Sequence, residues 1–339
     1  MDMLTQPVTG DGAWTSSTTT KADMTLVLTP AQIERLEDMA ARSVGKEALD
    51  LTRADVDDPV IADLAKDILA RVRDRHGVAL LSGLSRARFS DDMLTRIFWG
   101  IGRHLGEPES QSILGDKVGH VRKAPANPNN RGYRSDRELF PHTDSTDIAG
   151  LLCLRSAKAG GVSQFVSGLA IHNELLANHP DLLPALYAGY YFHRSGEQLP
   201  HEAPITPTRI PIFAYYEGAL SVYYLRGFID MAARELEPDG KVPADLKRSL
   251  DAFDALTSRE DMRIAFTMEE GEMVFMNNHV VLHARTAFED FPEEEKHRHL
   301  LRLWLSVPDL RPVSPAMNVH GAGGIKGQPD KVKEFEHAK

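Results

Sequence analysis

The segment Pro141-His142-Thr143-Asp144 places an imidazole and a carboxylate two residues apart. In an extended chain side chains alternate, so His142 and Asp144 would share a face and could converge on one metal ion. An H-x-D triplet is a weak signal alone, and a surface histidine beside a turn aspartate is the plainer reading. A remote partner strengthens it. Met276–Arg285 carries His279 and His283 at the end of a strand-like run. Two histidines and one carboxylate form a facial triad with three coordination positions open, as in non-haem Fe(II) oxygenases. On a strand His279 and His283 would lie roughly 13 Å apart, so one ion can take only one of them. Their spacing does not choose between them.

Further on, His297-Arg298-His299-Leu300-Leu301-Arg302-Leu303-Trp304 alternates, with Arg298, Leu300, Arg302 and Trp304 on one face. An arginine pointing inward from a core strand needs an anion. Two of them downstream of His283 favour a dicarboxylate cosubstrate and an acidic substrate. For a lone arginine, a structural ion pair is the plainer expectation. His297, His299, Trp304 and Cys153 are expected to be structural, and Asp290 with Glu293, Glu294 and Glu295 to form a solvated acidic loop.

The elements that must position these groups are legible in outline. Helical spacing predicts helices over Thr29–Leu51, Pro59–Arg75 and Phe89–Leu105, with a short buried strand at Val78–Leu81. From Gly119 to Asp309 short strand-like runs dominate, interrupted by helical stretches at Ala170–Asn178 and Pro243–Leu256. Helices first and strands later suggest a sheet sandwich or barrel buttressed by helices, not a doubly wound parallel sheet. Met1–Leu28 is expected to be a flexible tail without signal-peptide character, residues 29–310 one domain, and Arg311–Lys339 a loop or tail.

The 339 residues carry 39 Lys and Arg against 49 Asp and Glu, a net charge of −10 that argues against a nucleic-acid partner. The single cysteine excludes a disulfide framework and a cysteine-based zinc site. No apolar run is long enough to span a membrane, and a cytoplasmic protein with a small-molecule substrate is expected. A homo-oligomer is allowed.

Together, His142-Thr143-Asp144, Gly160-Gly161-Val162-Ser163, Leu282-His283-Ala284-Arg285-Thr286 and the Arg298–Leu305 strand resemble the taurine dioxygenase-like (TauD/TfdA) family of Fe(II)/2-oxoglutarate-dependent oxygenases. The resemblance runs from about Pro59 to Asp309. It implies a mainly β, α+β fold: a double-stranded β-helix (jelly-roll, cupin-like) core buttressed by helices. It also implies His142, Asp144 and His283 as ligands of Fe(II), with His283 preferred over His279. Arg298 would pair with the distal carboxylate of 2-oxoglutarate, with Ser163 as a second donor. Arg302 falls at a position that binds the substrate anion in some members. The implied reaction uses O₂, converts 2-oxoglutarate to succinate and CO₂, and hydroxylates or desaturates a C–H bond. Related halogenases have a small residue in place of the carboxylate, so Asp144 argues for hydroxylation. Two alternatives remain on the residues alone: a zinc-dependent hydrolase using the same ligands, and a non-catalytic module that binds a small acid. The loops around Ala124–Phe140 and Ser195–Ile205 are expected to select the substrate.

Overall fold

The computed structural model describes residues 2–124, 132–321, 323–328 and 330. Its centre is a sheet running Thr25–Val27, Val78–Ser82, Met273–Asn277, Ile148–Arg155, His299–Ser306, Glu107–Gln111 and Gly324–Ile325, with Val118–Val121 also paired to His299–Ser306. A second sheet orders Arg263–Phe266, Ser163–Ser167, Val281–Arg285 and Leu139–His142. The alternation of His299–Ser306 shows how they stack. Leu301, Leu303 and Leu305 join one apolar cluster with the N-terminal helices, while Leu300 and Trp304 join another with Phe165, Ile264 and Leu282 of the second sheet. The large sheet is thus buried on both faces, helices on one side and the smaller sheet on the other. This is the expected double-stranded β-helix core buttressed by helices.

The buttress follows from local sequence. Pro30–Arg42 starts on Thr29, which accepts from the Gln32 backbone N–H while the Gln32 side chain returns to Thr29. Pro59–Asp74 starts on Asp58, which accepts from Val60 and Ile61. Asp91–Leu105 starts on Ser90, which accepts from Met93. Each pairing satisfies backbone donors that the first helical turn leaves open. Gly102 lets the third helix press onto the sheet, since a Cβ there would strike Leu303.

Some expectations shift. The first helix ends at Arg42, and only a short 3₁₀ turn forms at Ala48–Asp50. The helix Arg226–Leu236 and the strands Glu107–Gln111, Val118–Val121 and Leu139–His142 were not anticipated. The expected N-terminal tail is instead packed on the body. Trp14 is buried with its indole N–H donating to the His76 carbonyl, and Thr25–Val27 pairs in parallel with Val78–Ser82. The apolar surface of Trp14, Met24 and Leu28 explains this despite the polar composition around them. Similarly, Met317, Val319 and Ile325 of the expected C-terminal tail are buried. Residues 331–339 of that tail lie outside the described residues.

Candidate metal centre

Leu139–His142 pairs antiparallel with Val281–Arg285 in a register that sets His283 opposite His142, ring centroids 4.3 Å apart. Asp144 lies just past the strand end in a segment pinned from two sides. Thr143 exchanges backbone and side-chain hydrogen bonds with Tyr224, and the Asp144 N–H donates to Asn278 Oδ1 at 3.1 Å. His142 Nδ1 lies 2.8 Å from the Phe140 carbonyl, the contact a protonated Nδ1 makes, so Nε2 is left as the ligand nitrogen. His142 Nε2 and His283 Nε2 stand 3.9 and 3.8 Å from the two Asp144 oxygens. All three ligand atoms lie within 4.8 Å of one another. That spacing is long for hydrogen bonds and suits one divalent ion held between them. The donor set, two imidazoles and a carboxylate, fits iron(II).

Two protonation states also fit. Burial alone would raise the Asp144 carboxyl, but the Arg302 guanidinium and the Trp304 indole N–H hold it below the usual carboxylate range. Burial pushes His283 down to about 3. An anionic carboxylate and a neutral imidazole are the ligating forms. His279 lies outside this cluster, its Nε2 contacting Asp147 Oδ1 at 2.8 Å.

Arg302 is buried and reaches Asp144 Oδ1 through Nη1 at 3.3 Å, while its Nε donates to Gln111 Oε1 at 2.6 Å. Its guanidinium carbon lies 4.5 Å from the Tyr133 ring centroid and 4.9 Å from that of Trp304. The structural ion pair that is the plainer expectation for an inward arginine is thus present here, with Asp144 as the partner. Its Nη2 has no partner among the described residues. Trp304, expected to be plain core, donates its indole N–H to Asp144 Oδ2 at 2.9 Å. Its place on the Arg302 face was the available signal.

Arg298 is buried too, and burial beside Arg285 pushes its guanidinium down to about 10. Its Nη1 has no partner among the described residues. It lines a small cavity with Ser163, Gly160 and Gly161. Gly161 has φ +66°, and a Cβ there would come within 3.1 Å of Arg298 Nε. Asp290, expected in a solvated loop, instead accepts the Arg298 backbone N–H at 2.7 Å. Cys153 is buried, its thiol pushed up to about 11 by burial. His299 contacts His120 at 2.8 Å and Arg155 at 3.0 Å, away from the triad.

Beside Asp144 opens a cavity of about 250 Å³, lined by Glu109, Asp147, Tyr223 and the segment from Val313 to Gly321. Of the two loops expected to choose the substrate, the first contributes Tyr133 over Arg302, with residues 125–131 outside the described set. The second does not line this cavity; its Glu197 lies 3.8 Å from His320, one of the lining residues.

The Taurine catabolism dioxygenase TauD, TfdA family profile matches residues 34–304. FR-33289 synthase from Streptomyces rubellomurinus is 32% identical over 335 residues, covering 95% of this chain and 97% of that protein. An asparagine oxygenase solved with Fe(II), 2S,3S-3-hydroxyasparagine and succinate superposes with a TM-score of 0.66 at 16% identity, over 84% of this chain and 93% of that one. The non-heme iron oxygenase OrfP, solved with Fe and alpha-ketoglutaric acid, gives 0.61 at 16% identity, over 88% of this chain and 100% of that one. At such identities these structures show the shared fold. No helix among the described residues is long and apolar enough to cross a membrane. These comparisons favour neither the zinc hydrolase nor the binding module. Fe(II), 2-oxoglutarate and O₂ are the cofactor and cosubstrates, and the chain belongs to the TauD/TfdA family of Fe(II)/2-oxoglutarate-dependent oxygenases.

Proposed function

We propose that this oxygenase hydroxylates an unactivated C–H bond of a small anionic organic substrate, using His142, Asp144 and His283 as its iron ligands. The observation that carries this is the convergence of those three side chains within 4.8 Å, beside a cavity of about 250 Å³. Bound there, iron(II) with 2-oxoglutarate and O₂ supplies oxidation of the C–H bond as 2-oxoglutarate becomes succinate and CO₂.

The protein's own part is orientation and charge. The contact with the Phe140 carbonyl fixes the His142 ring, and Trp304 and Arg302 fix the Asp144 carboxylate. Arg298 and Ser163 take the distal carboxylate of 2-oxoglutarate, which the unpartnered Arg298 Nη1 supports. Arg302 Nη2, likewise unpartnered and buried, takes the substrate anion, a carboxylate before a sulfonate.

A panel of anionic and neutral compounds, screened anaerobically with Fe(II) and 2-oxoglutarate for a shift of the metal-to-ligand absorption band, tests the reading. Arg302→Gln should weaken the best anionic ligand about ten-fold or more relative to a neutral ligand of similar size. A neutral best ligand, or equal weakening of both ligands, would overturn the anionic assignment.

A further inference from the structure

Arg285 follows His283 by two residues and is as buried as Arg298. Both guanidiniums pack on one aromatic ring: Arg285 Cζ lies 4.7 Å and Arg298 Cζ 5.0 Å from the Phe288 centroid. Arg285 Nη2 donates to the Ser135 carbonyl at 2.9 Å and to that of Arg137. Among the described residues, its Nε and Nη1 have no partner, and neither does Arg298 Nη1.

Among the described residues, no carboxylate comes within ion-pair distance of either arginine. Two acids bear on these arginines electrostatically without pairing with them. Asp136 is bound by Lys123 Nζ at 2.7 Å, and Asp290 accepts the Arg298 backbone N–H through Oδ1 while its buried Oδ2 makes no hydrogen bond among the described residues. Two buried cations on one ring, with open N–H groups and no carboxylate partner, are costly unless an anion arrives.

Strand register says where that anion would sit. Arg285 is paired with Ser163, and His283 with Phe165 on the same two strands. Arg285 and Ser163 therefore project from one face with Cβ atoms about 5 Å apart. His283 shares that face, roughly 7 Å along the strand. A linear dicarboxylate bound at the triad by its keto-acid end would extend along this row.

We infer that Arg285 is a second cosubstrate-binding arginine: its Nη1, with Arg298 Nη1 and Ser163 Oγ, receives the distal carboxylate of 2-oxoglutarate. The inference rests on Arg298 and Ser163 forming the cosubstrate pocket. Its consequence is selectivity, because a doubled positive charge rewards a second carboxylate and offers nothing to a keto acid without one.

Calorimetric titration of the full chain loaded with Mn(II), which supports binding without turnover, separates this role from a structural one. The two probes are 2-oxoglutarate and 2-oxobutyrate, which lacks the distal carboxylate. Arg285→Gln should weaken 2-oxoglutarate about ten-fold or more, leave 2-oxobutyrate within about two-fold, and leave Mn(II) affinity unchanged. Equal weakening of both keto acids would mean that Arg285 acts only through its hold on Ser135 and Arg137, and would overturn the inference. So would unchanged 2-oxoglutarate binding. If Arg285→Gln does not fold, Arg285→Lys decides. It keeps the charge without the planar fork and must show the same selective loss, about three-fold or more. Arg298→Gln is the control. If it too leaves 2-oxoglutarate binding unchanged, the cosubstrate pocket itself is misassigned; if it weakens binding while the Arg285 variants do not, only the role of Arg285 fails.

Discussion

Asp144 answers to two cations, the ion it would ligate and Arg302, and that double duty shapes what its removal does. His142→Ala, Asp144→Ala and His283→Ala should each nearly abolish iron binding, measured by metal titration, because two remaining side chains are too few for a stable site. His279→Ala should leave metal affinity within about two-fold, its partner being Asp147. Arg298→Lys should raise the 2-oxoglutarate requirement about ten- to a hundred-fold, since lysine cannot offer a two-pronged contact. Ser163→Ala should act the same way but more weakly, as a neutral donor is lost; initial rates against 2-oxoglutarate concentration check both. The spacing of His279 and His283 could not choose between them, whereas cross-strand register is what sets His283, and not His279, opposite His142. Trp304 carried one signal, its place on the Arg302 face, whereas Gln111 was illegible as a site residue because its contact with Arg302 exists only once remote strands meet.

Elements with their own punctuation were the ones readable in sequence. Asp58 with Pro59 announces a helix start, and the observed helix begins there. Glu107–Gln111 escaped notice because Glu-Pro-Glu-Ser-Gln has no apolar alternation; it is a strand because His299–Ser306 and Gly324–Ile325 pair with it. Arg226–Leu236 was hidden by Gly227 in its first turn and by the lack of a capping side chain. Asp58 also makes an element-scale prediction. Burial would raise its carboxyl, but the Arg35 guanidinium and two helix N–H groups hold it below its ordinary value. A carboxyl so lowered contributes stability above its unfolded pKa and loses it as pH falls through the folded one. Asp58→Ala should cost about 1–3 kcal/mol in urea unfolding at neutral pH. Asp58→Asn should cost less because it keeps the cap, and both differences should shrink in acid.

Across the whole molecule, burial also keeps several histidines outside the triad neutral. His172 and His299 are pushed down to about 4, and His76, His104 and His120 are lowered as well. The unfolded chain takes up protons on these groups first, so stability should fall as pH drops from about 6.5 towards 4. Urea midpoints should therefore be lower at about pH 5.5 than at about pH 7.5; equal midpoints would contradict burial of neutral imidazoles. The same scale shows how labour is divided along the chain. The segment from Val313 to Gly321, which walls the cavity beside Asp144, begins beyond residue 304, where the family match stops. Yet that wall is no loose flap, because Met317 and Val319 sit in the same core as Trp304, and Gly324–Ile325 adds a strand to the large sheet. Whatever shape the cavity has is therefore set by the folding of the core, and reshaping it from this side means repacking the molecule's interior.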